Sequence, residues 1–279
     1  MSTFATEVNA GARFKFGKNW QSFLAVLDEA RIRQAETALR EMLGVTDLLG
    51  QTFVDVGSGS GLSSLAARNL GATVTSFDFD PSSVACTHEL RRRYHADDTA
   101  WSIQEGSVLD AAFLASLGQF DVVYSWGVLH HTGKMWEALA NVIPLVKPGG
   151  RLFLALYNDQ GRASKLWRTV KHTYCAGWMG KALVSSVFIP YFFGLAVISC
   201  ILNRENVFAT YKHKSRGMSV THDWFDWLGG YPFEVATPEA VLDFCRARGF
   251  NLIRLKTCGG KMGCNEFVFQ RRTESGTRA

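Results

Sequence analysis

Residues 52–68 constrain this chain more than any other stretch. Residues 52–56, Thr-Phe-Val-Asp-Val, are a short apolar run that reads as a buried strand. Gly57, Gly59 and Gly61 follow at alternate positions. Residues 62–68, Leu-Ser-Ser-Leu-Ala-Ala-Arg, then read as a helix. Glycine allows a tight turn and lets a ligand approach the main chain. The start of a helix adds free N–H groups and the positive end of its dipole. This is the physics of a nucleotide-type site.

Spacing narrows the reading. A phosphate cradle would read G-x-x-x-x-G-K-[ST], and no Lys follows these glycines. A dinucleotide site would read G-x-G-x-x-G, which the Leu at position 62 breaks. The pattern present is D-x-G-x-G-x-G, from Asp55 to Gly61. It resembles motif I of the class I S-adenosylmethionine-dependent methyltransferases. The resemblance implies that Asp55 and the loop Gly57, Ser58, Gly59 and Gly61 hold the methionine part of that cofactor. The plainer reading is a glycine-rich turn of any α/β domain, so the downstream chain has to decide.

Residues 72–77 read as a second strand ending in Asp78. A carboxylate there has two oxygens for two ribose hydroxyls, and it lies about 20 residues past the glycines, as a βαβ unit requires. Phe79 follows and is placed to stack on the adenine; Asp80 reads as the cap of a helix that Pro81 opens and that runs to Tyr94. A third strand, 101–104, leads to Ser107 and Val108. The resemblance makes this the adenine-contacting loop, with Ser107 where the family often has Asp. A fourth strand, 120–125, ends in Ser125 and Trp126 and runs into His130 and His131. In the family this loop faces the methyl group, so the two histidines are the acid/base candidates. Their plainer reading is packing and loop order. A helix over 135–146, a Lys-Pro-Gly-Gly turn and a fifth strand over 151–157 complete the alternation.

Five strand–helix alternations over 48–157 predict a doubly wound, mostly parallel α/β sheet. The helix over 237–248 and strands over 251–257 and 266–270 add a sixth strand and an antiparallel seventh. The resemblance supplies seven strands in the order 3-2-1-4-5-7-6. Four parts follow: an arm and helix over 1–47, with the helix over 20–43; a core of 48–157 and 237–272; an insert over 158–236 serving as lid and acceptor-binding region; and a tail over 273–279.

The insert is the least regular part. Residues 183–202 are almost wholly apolar and long enough to span a bilayer. Three readings rank in order: a lid helix over the acceptor, a membrane-surface contact, and a span. A span would put two halves of one sheet on opposite sides of the membrane. His222, Asp223, Trp227 and Tyr231 lie in a dense aromatic and polar stretch that reads as a pocket wall. Asp223 is a candidate partner for the working histidine. Trp20, in an aromatic, basic N-terminal arm, is a further acceptor-binding candidate.

Composition excludes more than it selects. The net charge of +5 reads as mild and spread out, which does not mark a nucleic-acid binder. No Asn/Asp-Pro-Pro-Tyr motif follows the fourth strand, so DNA is not the expected partner. Six cysteines without a C-x-x-C pair argue against a zinc site and fit a reducing compartment. No secretory leader is read at the N-terminus, and no metal is expected. The expectation is a cytoplasmic enzyme, peripheral to a membrane if the apolar run meets one. It would move a methyl group from S-adenosylmethionine to a small aromatic or lipophilic acceptor, oxygen favoured over sulfur, nitrogen or carbon. An RNA or protein methyltransferase, with 165–181 and 212–216 as its basic footprint, is the alternative enzyme; a non-catalytic cofactor-binding scaffold is the alternative of another class. The pattern sets no oligomeric state.

Overall fold

The computed structural model describes residues 3–15, 20, 23–25, 27–203 and 220–273, with main chain only for residues 203, 220–223 and 226. A short helix, α1 (Phe4–Asn9), opens it, its first turn capped by the Thr3 hydroxyl. Trp20, Phe23 and Leu24 are helical, as the apolar stripe suggests, and a separate helix, α2, covers Glu29–Leu43. Asp28 sets the boundary: its carboxylate accepts the Arg31 N–H at 2.9 Å, as an N-cap does. Gly44 closes the helix in the left-handed region, as expected.

The core then alternates: β1 (Thr52–Val56), α3 (Leu62–Asn69), β2 (Thr73–Asp78), α4 (Pro81–Tyr94), β3 (Trp101–Glu105), α5 (Ala111–Leu117), β4 (Phe120–Trp126), α6 (Met135–Val142) and β5 (Val146–Tyr157). Asp80 caps α4 by accepting the Ser82 N–H at 2.8 Å. α6 ends four residues early, because Pro144 sits in a 3-10 turn (Ile143–Leu145). The Lys-Pro-Gly-Gly segment is not a free turn. It belongs to β5, where the pairing with β4 shifts register between Phe120 and Val122.

Among the described residues, three insert helices follow: α7 (Arg162–Cys175), α8 (Trp178–Asn203) and α9 (Val220–Gly229). α10 (Pro238–Arg246), β6 (Phe250–Lys256) and β7 (Cys264–Arg271) return to the sheet. The order is β3-β2-β1-β4-β5-β7-β6, with β7 antiparallel to both neighbours. Side chains of β1 alternate across it. Phe53 enters one core with Leu65, Leu90 and Trp101; Val54 and Val56 enter the other with Leu139 and Phe267. Strands covered on both faces in this way bring their C-terminal ends, and the loops after them, to one edge.

The insert has a smaller core of its own around Val170, Tyr174, Val184 and Leu228. Lys171, whose charge reads from sequence as part of a basic face, is buried there. Its ammonium lies 3.9 Å from the Trp227 ring centroid and donates to the Trp227 carbonyl, which offsets the loss of water.

Candidate active site

A cavity of about 870 Å³ opens along the C-terminal edge of the parallel strands. Its floor at one end is the glycine loop. Gly57 (φ +80°) and Gly59 (φ +55°) hold conformations that L side chains rarely adopt. The neighbourhood explains both. A Cβ on Gly57 would meet the Val128 methyl at 2.4 Å, and one on Gly59 would meet the Trp20 ring at 3.2 Å. Gly61 does not line the cavity. It lets α3 approach α4, since its Cβ would lie 2.9 Å from the Thr87 backbone.

Two carboxylates stand behind the loop. Asp78, at the tip of β2, accepts the Gly59 N–H at 2.9 Å and the Asp80 N–H at 2.8 Å. Burial pushes its pKa up to about 6, against the pull of those two N–H donors. Asp55 ends a buried chain of hydrogen bonds: Trp101 Nε1–H donates to Ser76, Ser76 to Ser64, and Ser64 to Asp55 at 2.5 Å. Burial raises Asp55 to about 7, the Ser64 hydrogen bond opposes this, and the Asp78 charge adds to the rise. Both carboxylates face the cavity, as do Ser58, Phe79, Ser107 and Val108. Phe79 also packs edge-on against Phe4 and under the Arg13 guanidinium. Ser107 Oγ accepts the Leu109 N–H at 3.2 Å, which shapes the loop. Ser125 is placed otherwise than expected: it is fully buried, off the cavity, and donates to the Val56 carbonyl at 3.2 Å. Trp126 is the residue that faces in.

The far end is aromatic. Tyr157, Phe192, Trp224 and Trp227 line it, with Met262 and Cys264 from the β6–β7 turn and the start of β7. Glu266 joins them, its carboxylate accepting the Trp126 indole N–H at 3.2 Å. No local pattern marks Glu266. It reaches the cavity because β7 pairs with β5, setting Glu266 opposite Ala155, which lies beside Trp126 of β4. Tyr231 is not on the cavity wall; its ring packs on His172 and its carbonyl accepts the Phe14 N–H. Trp20 is on the wall, but at the glycine-loop end. The side chains of His222 and Asp223 lie outside the described residues, as does the 212–216 stretch.

The two histidines separate. A 3-10 turn, Leu129–His131, turns His131 into the cavity and His130 away from it. His130 is fully buried against Tyr157, and its Nδ1 accepts the Tyr157 N–H at 3.3 Å. That leaves the proton on Nε2, which has no hydrogen-bond partner among the described residues. His131 Nδ1 lies 2.6 Å from the Pro232 carbonyl, so Nδ1 carries the proton and the lone pair sits on Nε2. A backbone carbonyl therefore orients this ring through Nδ1. Burial holds His131 down to about 3 and His130 well below its ordinary range.

These shifts have a sign. An unfolded imidazole titrates near pH 6.5. Below that, the unfolded state binds protons that the folded neutral rings refuse, so stability is lost as pH falls. The raised Asp55 and Asp78 act oppositely, because protonating them relieves their burial. The difference between variants isolates the ring. His131→Gln is expected to gain on the wild type by about 2 kcal/mol between pH 6.5 and pH 5, read from urea denaturation at the two pH values.

Residues 54–152 match the family model described as a methyltransferase domain. The chain is similar to the ubiquinone biosynthesis O-methyltransferase of Methylobacterium sp. strain 4-46, 29% identical over 50% of this chain and 54% of that one. It is also similar to the enzyme of the same name from Escherichia coli O139:H28, 32% identical over 42% of this chain and 47% of that one. The matched stretch thus spans about half the length of these relatives. Among solved structures, magnesium protoporphyrin IX methyltransferase from Synechocystis PCC 6803, with bound S-adenosylhomocysteine, shares the fold: TM-score 0.52, 14% identity, 86% of this chain and 82% of that one. The matched domain, the D-x-G-x-G-x-G loop and the 3-2-1-4-5-7-6 sheet together place this chain in the class I S-adenosylmethionine-dependent methyltransferase family.

Proposed function

We propose that the chain methylates a hydroxyl oxygen of a small, aromatic or lipophilic acceptor. One observation carries the reading: a single cavity runs from the glycine loop and Asp78 to a wall of Tyr157, Phe192, Trp224 and Trp227. The glycine-loop end fits S-adenosylmethionine, because Gly57 and Gly59 bring bare main chain to the cavity and Asp78 offers two carboxylate oxygens. Bound there, the cofactor supplies a sulfonium methyl group for in-line displacement. Asp78 would hold the ribose hydroxyls, and Phe79, Ser107 and Val108 would bound the adenine. Asp55 and the loop would hold the methionine part. The aromatic wall would press a flat or apolar acceptor against Trp126, excluding water and fixing the attack line. The insert of 158–236 then serves as lid and acceptor site. The names of the curated relatives favour oxygen as the attacked atom.

His131 presents a neutral imidazole to the cavity, its proton on Nδ1. With its conjugate acid at about 3, it accepts a hydrogen bond from the acceptor hydroxyl better than it removes the proton. It orients the oxygen; as the methyl group moves and S-adenosylhomocysteine leaves, the hydroxyl proton would pass to Glu266, the carboxylate on the acceptor side, and on to water. His131→Ala is therefore expected to lower kcat roughly 10²-fold, with cofactor affinity unchanged and no rescue at high pH. His130→Ala should act on stability instead. Steady-state kinetics from pH 6 to pH 10 check both; rescue at high pH would instead make His131 the base. The function itself is tested by labelled methyl transfer to phenols and catechols with apolar tails of increasing length. Catalytic efficiency should rise with the tail. Transfer to RNA or protein and not to phenols would overturn the proposal.

A further inference from the structure

Methyl transfer leaves α8 unexplained. One stripe of this helix, Val184, Phe188 and Phe192, packs inward at a spacing of four against α7 and α9, and Ala196 extends it as a buried position. Much of the rest of its surface is apolar and exposed. Trp178 is 79% exposed, Ile201 70% and Leu202 77%, and Leu183, Tyr191 and Ile198 are more than half exposed. A contiguous apolar face of this kind on a water-soluble protein marks an interaction surface.

Charge says what covers it. Residues 160–203 carry Arg162, Lys165, Arg168, Lys171 and Lys181 and not one Asp or Glu. That excess equals the chain's whole net charge of +5, so the remainder is balanced and the charge is not spread out. Lys171 is buried; Arg162, Lys165, Arg168 and Lys181 are exposed. An apolar helix beside a cluster of cations, with Glu234 near Arg168 as a partial offset, matches an anionic bilayer surface, where acyl chains take the apolar face and head groups the cations. A nucleic acid would match the charge but not the apolar side chains. The helix also joins this surface to the cavity: Phe192 lines the cavity, while the adjacent Tyr191 faces out.

We propose that α8 docks in the plane of an anionic membrane surface, so that a lipophilic acceptor enters the cavity past Phe192. The entry route rests on the proposed apolar acceptor; the docking does not. At 26 residues and about 39 Å the helix is long enough to cross a bilayer. Its inner stripe is nonetheless held by α7 and α9, and β5 before it and β6 after it belong to one sheet.

Flotation of the full chain with vesicles tests this. Partition into phosphatidylcholine vesicles containing phosphatidylglycerol should exceed partition into phosphatidylcholine alone by about tenfold or more. Ile198→Asp with Ile201→Asp, both exposed, should lower it by about tenfold or more. Lys165→Glu with Lys181→Glu should remove the preference for the anionic lipid. All these variants should bind S-adenosylhomocysteine as the wild type does by calorimetry, which keeps failure of docking distinct from failure of the methyltransferase reading. Absence of partition, or partition indifferent to the aspartates, would overturn the proposal. So would a wild-type dimer in sedimentation that the aspartates disperse without any vesicle binding, since a second copy would then cover the face.

Discussion

Asp78→Ala is expected to weaken S-adenosylhomocysteine binding by about 2 kcal/mol, roughly 30-fold, while the protein stays folded. The variant removes a half-buried carboxylate that faces the cavity and already orders its floor through the Gly59 N–H. Ribose hydroxyls donating to it would make charge-assisted bonds in a site with little water. Its raised pKa gives the prediction a second edge. With a free-state value of about 6, the carboxyl must give up its proton to accept both hydroxyls, so affinity should fall by up to tenfold per pH unit as pH drops below 6 and level off above. Asp78→Asn should lose that pH dependence. Calorimetry across pH 5 to pH 8 reads both. An unchanged affinity in Asp78→Ala would remove Asp78 from the ribose.

Gly57→Ala should lose stability through a single methyl group. The backbone at Gly57 stands at φ +80°, which costs a side chain about 1–2 kcal/mol. The new Cβ would also lie 2.4 Å from a Val128 methyl and 2.6 Å from the other, so β-branching leaves no open rotamer to retreat into. Overpacking adds about 1–3 kcal/mol. The expected total, about 3 kcal/mol, lowers Tm by roughly 6–12 °C for a chain of this size. Gly118→Ala is the control, with φ +81° and nothing within 4 Å of the added atom. It should lose only the conformational share. The double variant Gly57→Ala, Val128→Ala should recover part of the difference, because the two sites touch. Equal losses at Gly57 and Gly118 would show that Val128 does not hold the loop.

Legibility followed locality. β1, its glycines and Asp78 were readable because strand period, turn chemistry and the spacing of a βαβ unit all act within some 30 residues. The cap at Asp28 was equally local, and a reading that weighed it above the apolar stripe would have begun α2 at Glu29. Glu266 was not readable, since only the pairing of β7 with β5, across more than a hundred residues, brings it beside Trp126. Nor could pattern separate His130 from His131. The division depends on a single 3-10 turn and on Pro232, whose carbonyl arrives from the far end of the insert. Lys171 misled for a related reason: a charge at a solvent-like position in its own helix is buried by rings contributed from Trp227 and Phe233. Ser125 and Gly61 sat where the motif suggests a ligand, yet their neighbours, Val56 and Thr87, claim them for packing.

The most direct test of the central claim is a calorimetric titration of the wild-type chain with S-adenosylhomocysteine, with NAD under the same conditions as the comparison. The cavity geometry predicts saturable binding of S-adenosylhomocysteine at one molecule per chain and no heat from NAD. Binding of NAD without binding of S-adenosylhomocysteine would contradict it.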